Sequence, residues 1–530
     1  MHVQEKNCKS FKDKREDKAK ATLISKIPDP AASRFSLATP FVENNLAEMA
    51  FSAAHKALVL AMILQVNADA LASYTLGKKT CELGAHTLGL SGGTALLSFC
   101  YHPIPIVFSK AKDVHVWDPE GRKYLDFLSA YSAVNQGHCH PRILSVLVQQ
   151  CQQMTLSSRA FYNDKFPIFA KHVTKLFGYE MVLPMNTGAE AVETALKLAR
   201  KWGYERKGIP TNEGVIISCC GCFHGRTLGA ISMSCDNEAT RGFGPFLPGQ
   251  LKVEFGNADA LKTIFEVHGN KVAGFLFEPI QGEAGVILPP KGYLQSVREL
   301  CSKYNVLMIA DEVQTGIART GKLLACEWEG VRPDVVILGK ALGGGVLPVS
   351  AVLADKDVML CIRPGEHGST FGGNPLASAV AIAALEVVVE EKLAERAVEM
   401  GQVFRNQFLD VQNAYPDIIR EVRGQGLLNA VELNAKGLSS VSAFDICQQL
   451  KERGILAKPT HDTIIRFSPP LTIRLEELSE AAKAFKEVLE HDLPKIRQQL
   501  QGALTQQPPD ACDRCGQHKY EDQEEQVVSS

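Results

Sequence analysis

No apolar run in this sequence reaches the roughly 18–20 residues that a membrane-spanning helix requires; the longest, "ALVLAMILQV" at 57–66, falls well short. A membrane partner is therefore not expected. Nor is either charge in excess: 57 Lys and Arg stand against 59 Asp and Glu, for a net charge of -2. That balance gives no electrostatic reason to expect nucleic acid and favours a small-molecule partner. There is no internal repeat. The 15 cysteines, an odd number, are scattered from Cys8 to Cys515 without a recurring spacing, which argues against a disulfide framework and for reduced thiols in an intracellular compartment. Metal-ligand spacing is missing too: "HCH" at 138–140 has no carboxylate or further histidine at ligand distance and reads as a turn, and "CDRC" at 512–515 is a single pair in a polar tail.

What is present is length and order. At 530 residues the chain is too long for one ordinary core and predicts two or more domains. Residues 1–95 read as an extension, polar and aperiodic over the first 48. Its first 20 residues hold seven Lys and Arg, but Glu5, Asp13, Glu16 and Asp17 are mixed among them, unlike an acid-poor transit peptide. From about 100 the texture is that of folded protein. "VHVWDPEGRKYLDFL" alternates around "DPEG" as a hairpin followed by a loop does, and this N-terminal segment, 96–131, leads into a large domain over 132–393. There the helical spacing of "AEAVETALKLARKWG" and "KGYLQSVRELCSKYN" alternates with "GVIIS", "AGFLFEP", "VLMIADE" and "DVVILGK". Such short, fully apolar strands belong to a parallel sheet covered by helices on both faces. The fold class is α/β. A smaller α+β domain over 394–500 contains "LLNAVELN" and "TIIRFSPP", and 501–530 reads as a disordered tail.

Ligands of open α/β sheets gather beyond the carboxyl ends of the strands, and three strands here end in "LFEPIQGE", "MIADEVQTG" and "ILGKALGGG". Asp311, directly after an apolar run, needs a cationic partner, and a protonated heterocyclic nitrogen would serve; on its own it would be read as a buried ion pair or a helix cap. Lys340 stands where a strand ends and three glycines follow, unlike a structural lysine on a solvated helix face, and those glycines would leave room beside the amine. "NTGAEAVETALKLAR" at 186–200 supplies a helix start where Asn186 or Thr187 can cap and Gly188 lets an anion approach. Together an amine, a carboxylate and an anion-binding helix start are the parts of a pyridoxal phosphate site: imine former, pyridinium partner and phosphate cradle.

The blocks "FEPIQGEAGV", "ADEVQTGIARTGK", "DVVILGKALGGG", "GSTFGGNPLA" and "FHGRTLGA" resemble the class III, fold-type I aminotransferases over about residues 100–495. Within that class "YHPIPIV" and "YLDFLSAYSAVNQGHCHP" resemble the ornithine aminotransferases, and "CDRCG" is similar to their plant members. The resemblance implies a pyridoxal-phosphate-dependent transferase with a mostly parallel sheet of the seven-stranded type. It implies that Lys340 forms the imine and carries the proton, that Asp311 keeps the pyridine nitrogen protonated, that Gln314 bonds the phenolic oxygen and that Phe223 stacks on the ring. Gly188 and Ala189 would give backbone N–H groups to the phosphate. Thr370 would reach the phosphate of a neighbouring subunit, hence a homodimer.

The reaction so implied moves the δ-amino group of ornithine to 2-oxoglutarate, giving glutamate 5-semialdehyde and glutamate, between arginine breakdown and proline synthesis. Arg226 and Tyr101 would hold ornithine's α-carboxylate and α-amino group, with Tyr131 nearby. Arg466 would take the α-carboxylate of the dicarboxylate, and Glu283 would cover Arg466 while ornithine is bound. An arginine–carboxylate pair is strong and directional, so a swing of Glu283 would expose Arg466 when needed. Taken singly, either arginine would be read as an ion pair and either tyrosine as a core aromatic. Acetylornithine and 4-aminobutyrate are the alternative donors; Tyr101 and Tyr131 favour free ornithine, whose unacylated amino group needs polar partners. The compartment implied is the mitochondrial matrix, with the cytoplasm as the alternative.

One feature departs from the family. Its members run "GAHNYHP" unbroken, whereas here "GAH" at 84–86 is separated from Tyr101 by "TLGLSGGTALLSFC" at 87–100. An insertion beside a substrate residue opens a second reading, a relative that has lost catalysis. An aminomutase, which needs no oxo-acid acceptor, is a third.

Overall fold

The structure, a computed structural model, describes residues 103–505. The extension over 1–95, the 87–100 insertion, Tyr101 and the CDRC pair lie outside the described residues. The alternating stretch around "DPEG" forms β1 (Lys110–Lys112), β2 (His115–Trp117) and β3 (Lys123–Asp126), with Trp117 opposite Lys123 across the turn.

The apolar runs that follow form one seven-stranded sheet: β4 (Met181–Met185), β5 (Val215–Cys219), β6 (Gln250–Val253), β7 (Val272–Phe277), β8 (Leu307–Asp311), β9 (Val335–Leu338) and β10 (Ser350–Ala354). Their order is β4-β10-β9-β8-β7-β5-β6. Every residue of β7, β8, β9 and β10 is buried, as helices on both faces require. Strand β10 alone runs antiparallel to its neighbours, because β9 returns to it through a short turn rather than through a crossover helix. Lys340 lies in that turn.

The remaining strands are β11 (Ile419–Gln425), β12 (Leu428–Leu433), β13 (Ile455–Leu456), β14 (Lys458–Thr460) and β15 (Ile464–Phe467). Four of them make an antiparallel sheet in the order β11-β12-β15-β14. The fifth, β13, pairs in parallel with β3, so the N-terminal segment is stitched to the C-terminal part of the chain, a pairing across more than 300 residues that no local pattern announces. Helices α1 (Gly188–Trp202), α2 (Pro375–Glu390), α3 (Leu393–Ala414) and α4 (Leu475–Glu487) complete the frame used below. Phe404 and Phe408 of α3, Phe467 of β15 and Phe485 of α4 stack in one fully buried group; truncating one of them to alanine costs about 3–5 kcal/mol. The last helix, Leu493–Thr505, runs past residue 500, into the stretch that composition alone assigns to a disordered tail.

Candidate active site

Strands β9, β8, β7 and β5 are adjacent and parallel, so the residues after their carboxyl ends share one edge of the sheet. That edge carries Lys340, Asp311, Glu278 and the segment with Phe223 and His224. Strand β4 ends on the same edge and feeds α1, whose start is tied to it: Ser350 Oγ donates to Thr187 O at 2.7 Å.

Between the two caps the sequence allows, the structure uses Thr187: its Oγ1 accepts the Glu190 N–H at 3.2 Å, and Glu190 reaches back to the Thr187 N–H at 2.8 Å, a capping box. Asn186 instead donates to Ser369 Oγ at 2.8 Å. The amides of Glu190 and Ala191 are thus taken by Thr187, while those of Gly188 and Ala189 have no partner among the described residues and can meet an anion at the positive end of a 15-residue helix.

Asp311 has a protein partner that pattern alone did not supply. His224 Nδ1 donates to Asp311 Oδ2 at 2.7 Å, with the imidazole fully buried, while Asp311 Oδ1 accepts the Val313 N–H at 3.1 Å. Burial alone would push the His224 pKa down, yet the neighbouring Cys222 sulfur and the Asp311 carboxylate favour the charged ring and raise it well above its ordinary value. The signal was the histidine inside "FHGRTLGA", next to Phe223.

Lys340 has φ 45°, in the left-handed region, a strained conformation for a side-chain-bearing residue and one typical of functional sites. Burial lowers its pKa from the usual lysine value, against the attraction of Asp311, Glu283 and Glu278. The glycines after it do not leave empty space. Gly344 and Gly345 have φ of 59° and 74°, and a Cβ on Gly344 would lie 2.9 Å from Ile143; they reverse the chain tightly and admit the core residue Ile143 rather than a ligand.

The other wall is built by the second sheet. Side chains alternate along β15: Ile465 and Phe467 enter the main core, while Ile464 packs with Ile280 and Val286, so Arg466 faces the 280–286 segment. It is fully buried, donates to Glu283 Oε1 at 2.7 Å, and also donates to Gln314 Oε1. Gln314 Nε2 closes the triangle on Glu283 Oε1 at 3.2 Å. Burial opposes the Glu283 charge, but Arg466 holds the carboxyl below the usual glutamate range. Arg423 of β11 fixes the same segment through Gly285 O and Val286 O at 2.8 and 3.0 Å.

Tyr131 joins this wall by an unusual route. Ser129, Ala130, Tyr131 and Ser132 all have positive φ, 45°, 47°, 59° and 69°, a left-handed turn that costs roughly 1–2 kcal/mol per residue. Asp126 Oδ1 accepts the N–H groups of Leu128 and Ser129 at 2.8 and 2.9 Å. The buried guanidinium of Arg319 donates to Ser129 Oγ at 2.9 Å, to Asn135, and to the carbonyls of Leu427 and Pro469. The turn sets the Tyr131 ring 5.7 Å from the Arg466 guanidinium and 4.7 Å from Lys458 Nζ. Arg226 lies instead over the Phe223 ring, at 5.3 Å. Thr370 is exposed and makes none of these contacts among the described residues. The histidines of "HCH" bind carboxylates: His138 meets Asp126 at 2.8 Å and His140 meets Glu391 at 3.0 Å.

Comparison with known proteins shows the family. The family description Aminotransferase class-III fits residues 98–489, and the chain belongs to the class III aminotransferases. It is 70% identical over 420 residues to the mitochondrial ornithine aminotransferase of Oryza sativa subsp. japonica, covering 79% of this chain and 89% of that one. Among solved structures it is similar to the ornithine aminotransferase of Toxoplasma gondii, with TM-score 0.73 and 44% identity over 76% of this chain and 94% of that one. It is also similar to the acetylornithine aminotransferase of Elizabethkingia anophelis, with TM-score 0.68 and 51% identity over 75% and 97%. The Toxoplasma structure holds pyridoxal phosphate at its active site in partial occupancy. The residues here fit such a group: an amine whose pKa burial lowers, the Asp311 side chain at a neighbouring strand end, and two amides at a helix start with no partner among the described residues.

Proposed function

We propose that the protein is an ornithine aminotransferase that moves the δ-amino group of ornithine to 2-oxoglutarate, giving glutamate 5-semialdehyde and glutamate. The observation that carries the reading is the buried Arg466–Glu283–Gln314 triangle, close enough for the charges of Arg466 and Glu283 to act on Lys340. Pyridoxal phosphate would be held by Lys340, Asp311, Gln314, Phe223 and the amides of Gly188 and Ala189, and when bound it supplies the electron sink that lets a proton leave the substrate carbon.

The protein's own part is to hold and to move charge. Lys340 Nζ, whose pKa burial lowers from the usual lysine value, would take the proton from the substrate carbon and carry it across to the cofactor when one is bound. Asp311 presents a carboxylate whose direction His224 fixes. One pocket must accept a donor with a distal amine and an acceptor with two carboxylates. With Glu283 on Arg466 the guanidinium is neutralised and the pocket suits ornithine, whose α-carboxylate would go to Arg226, with Tyr131 and Tyr101 as the tyrosines that the family resemblance implies for it. With Glu283 swung aside, Arg466 binds the acceptor's α-carboxylate. Thr370 would complete a partner's phosphate site, in a homodimer, and the Oryza relative's mitochondrial name supports the mitochondrial matrix as the compartment.

The kinship with an acetylornithine aminotransferase makes that donor the second reading. Purified protein given ornithine and 2-oxoglutarate should form glutamate 5-semialdehyde, should stop without the oxo-acid, and should act faster on ornithine than on N-acetylornithine. A preference for the acetylated donor would reverse the assignment, and conversion without 2-oxoglutarate would make it a mutase.

A further inference from the structure

The carboxylate of Glu278 sits on the same sheet edge and acts on Lys340 by charge, but the arrangement just described gives it no positioning role. It follows β7 and is 3% exposed. Burying an ionisable group is unfavourable unless its oxygens find partners, and both do: Oε2 accepts the backbone N–H of Phe223 at 3.0 Å and Oε1 accepts that of Gly282 at 3.2 Å. The first amide belongs to the segment with Phe223, His224 and Arg226, and the second immediately precedes Glu283. A second bond joins the same two segments, from Gln281 Nε2 to Cys220 O at 2.8 Å. The junction has no slack, since a Cβ on Gly282 would lie 2.5 Å from Gln314 Oε1.

We propose that Glu278 is a positioning residue that clamps the segment bearing Phe223 to the segment bearing Glu283, so that the two walls of the pocket keep one spacing. The inference rests on the aminotransferase reading above. A carboxylate suits this place because it offers two acceptor oxygens, whereas a glutamine would accept one N–H and turn its own NH2 against the other. The titratable groups around it are His224, Asp311, Lys340 and Cys219. Desolvation pushes Glu278 up to about 7, with His224 opposing and Asp311 adding to the rise, so the clamp changes charge in the neutral range.

Pyridoxal phosphate titrated into cofactor-free E278Q and E278D, followed by quenching of protein fluorescence, measures the clamp without turnover; single-turnover rates with ornithine and with 2-oxoglutarate measure it with turnover. E278Q should bind pyridoxal phosphate more weakly and slow both half-reactions, each by roughly tenfold to a hundredfold, and E278D should recover part of both. In wild type the affinity should change with pH around 7 and in E278Q that inflection should vanish. Wild-type affinity and rates in E278Q, or an unchanged inflection, overturn the proposal. Should E278Q not fold, hydrogen exchange in the wild type decides: both the Phe223 and Gly282 amides should be strongly protected, and fast exchange at either overturns the clamp. A protein inactive on ornithine whose pyridoxal phosphate affinity still falls in E278Q would refute the ornithine reading and leave the clamp standing.

Discussion

Nδ1 of His224 lies 2.7 Å from Oδ2 of Asp311, with both side chains almost wholly shielded from water. Removing one partner of a buried ion pair strands the other charge, at a cost of about 3–5 kcal/mol. His224→Leu should therefore destabilise the cofactor-free protein by that order. Bound pyridoxal phosphate would offer Asp311 a replacement cation, so the gap in melting temperature between loaded and cofactor-free protein should widen in the variant. Calorimetry of the two forms reads this directly, and an unchanged gap would count against it.

Glu283 and Arg466 should separate the two half-reactions. Glu283→Ala uncovers Arg466 permanently and should slow the ornithine half-reaction more than the 2-oxoglutarate one; equal losses would sink the switch. Arg466→Lys gives up paired, charge-assisted bonds worth about 1.5–3 kcal/mol each. Its KM for 2-oxoglutarate should rise by roughly ten- to a hundredfold, with a smaller effect on ornithine, as steady-state kinetics varying one substrate at a time would reveal.

Lys340 should react at a pH where surface lysines do not. Burial lowers its pKa, so trapping of pyridoxal phosphate by borohydride should persist to lower pH at Lys340 than at exposed lysines, as peptide mapping would show. In Lys340→Ala the site-specific label should be lost. A Lys340 profile that coincides with that of surface lysines would contradict the lowered value.

The Glu278 pKa of about 7 is raised above the ordinary 4.5, and the sign of its effect on stability follows. A group that binds its proton more tightly in the folded state contributes stability fully below its unfolded pKa and loses it as pH rises through the folded one. Between pH 4.5 and about 7 the stability of E278Q relative to wild type should move in the variant's favour by about 3 kcal/mol. Urea unfolding at several pH values tests this, and a parallel decline of the two proteins would not fit.

The strands, the capped start of α1 and the placement of Lys340 and Asp311 at strand ends were legible because each depends on local order: an apolar run, a turn residue, a strand terminus. Resemblance added Glu283, Gln314 and Arg466, which the structure brings together. What could not be read was long-range or locally disfavoured. The partner of Asp311 lies 87 residues away. The pairing of β13 with β3 joins opposite parts of the chain. The left-handed run at 129–132, read from sequence only as a loop after a hairpin, contains no glycine to announce it; tertiary bonds from Arg319 override the local preference. The space beside the glycines after Lys340, which looked like room for a ligand, is taken at Gly344 by Ile143 and at Gly345 by Val134.

Tyr131 faces Arg466 only because that left-handed turn is over-determined by Asp126 and Arg319. Strain of this kind relaxes when its restraints loosen, and it does so locally, before the sheets lose their order. Warming should therefore blunt the pocket first: the protein would keep its circular dichroism while its grip on substrate failed, and the working temperature of the enzyme would be set by four residues of backbone rather than by its core.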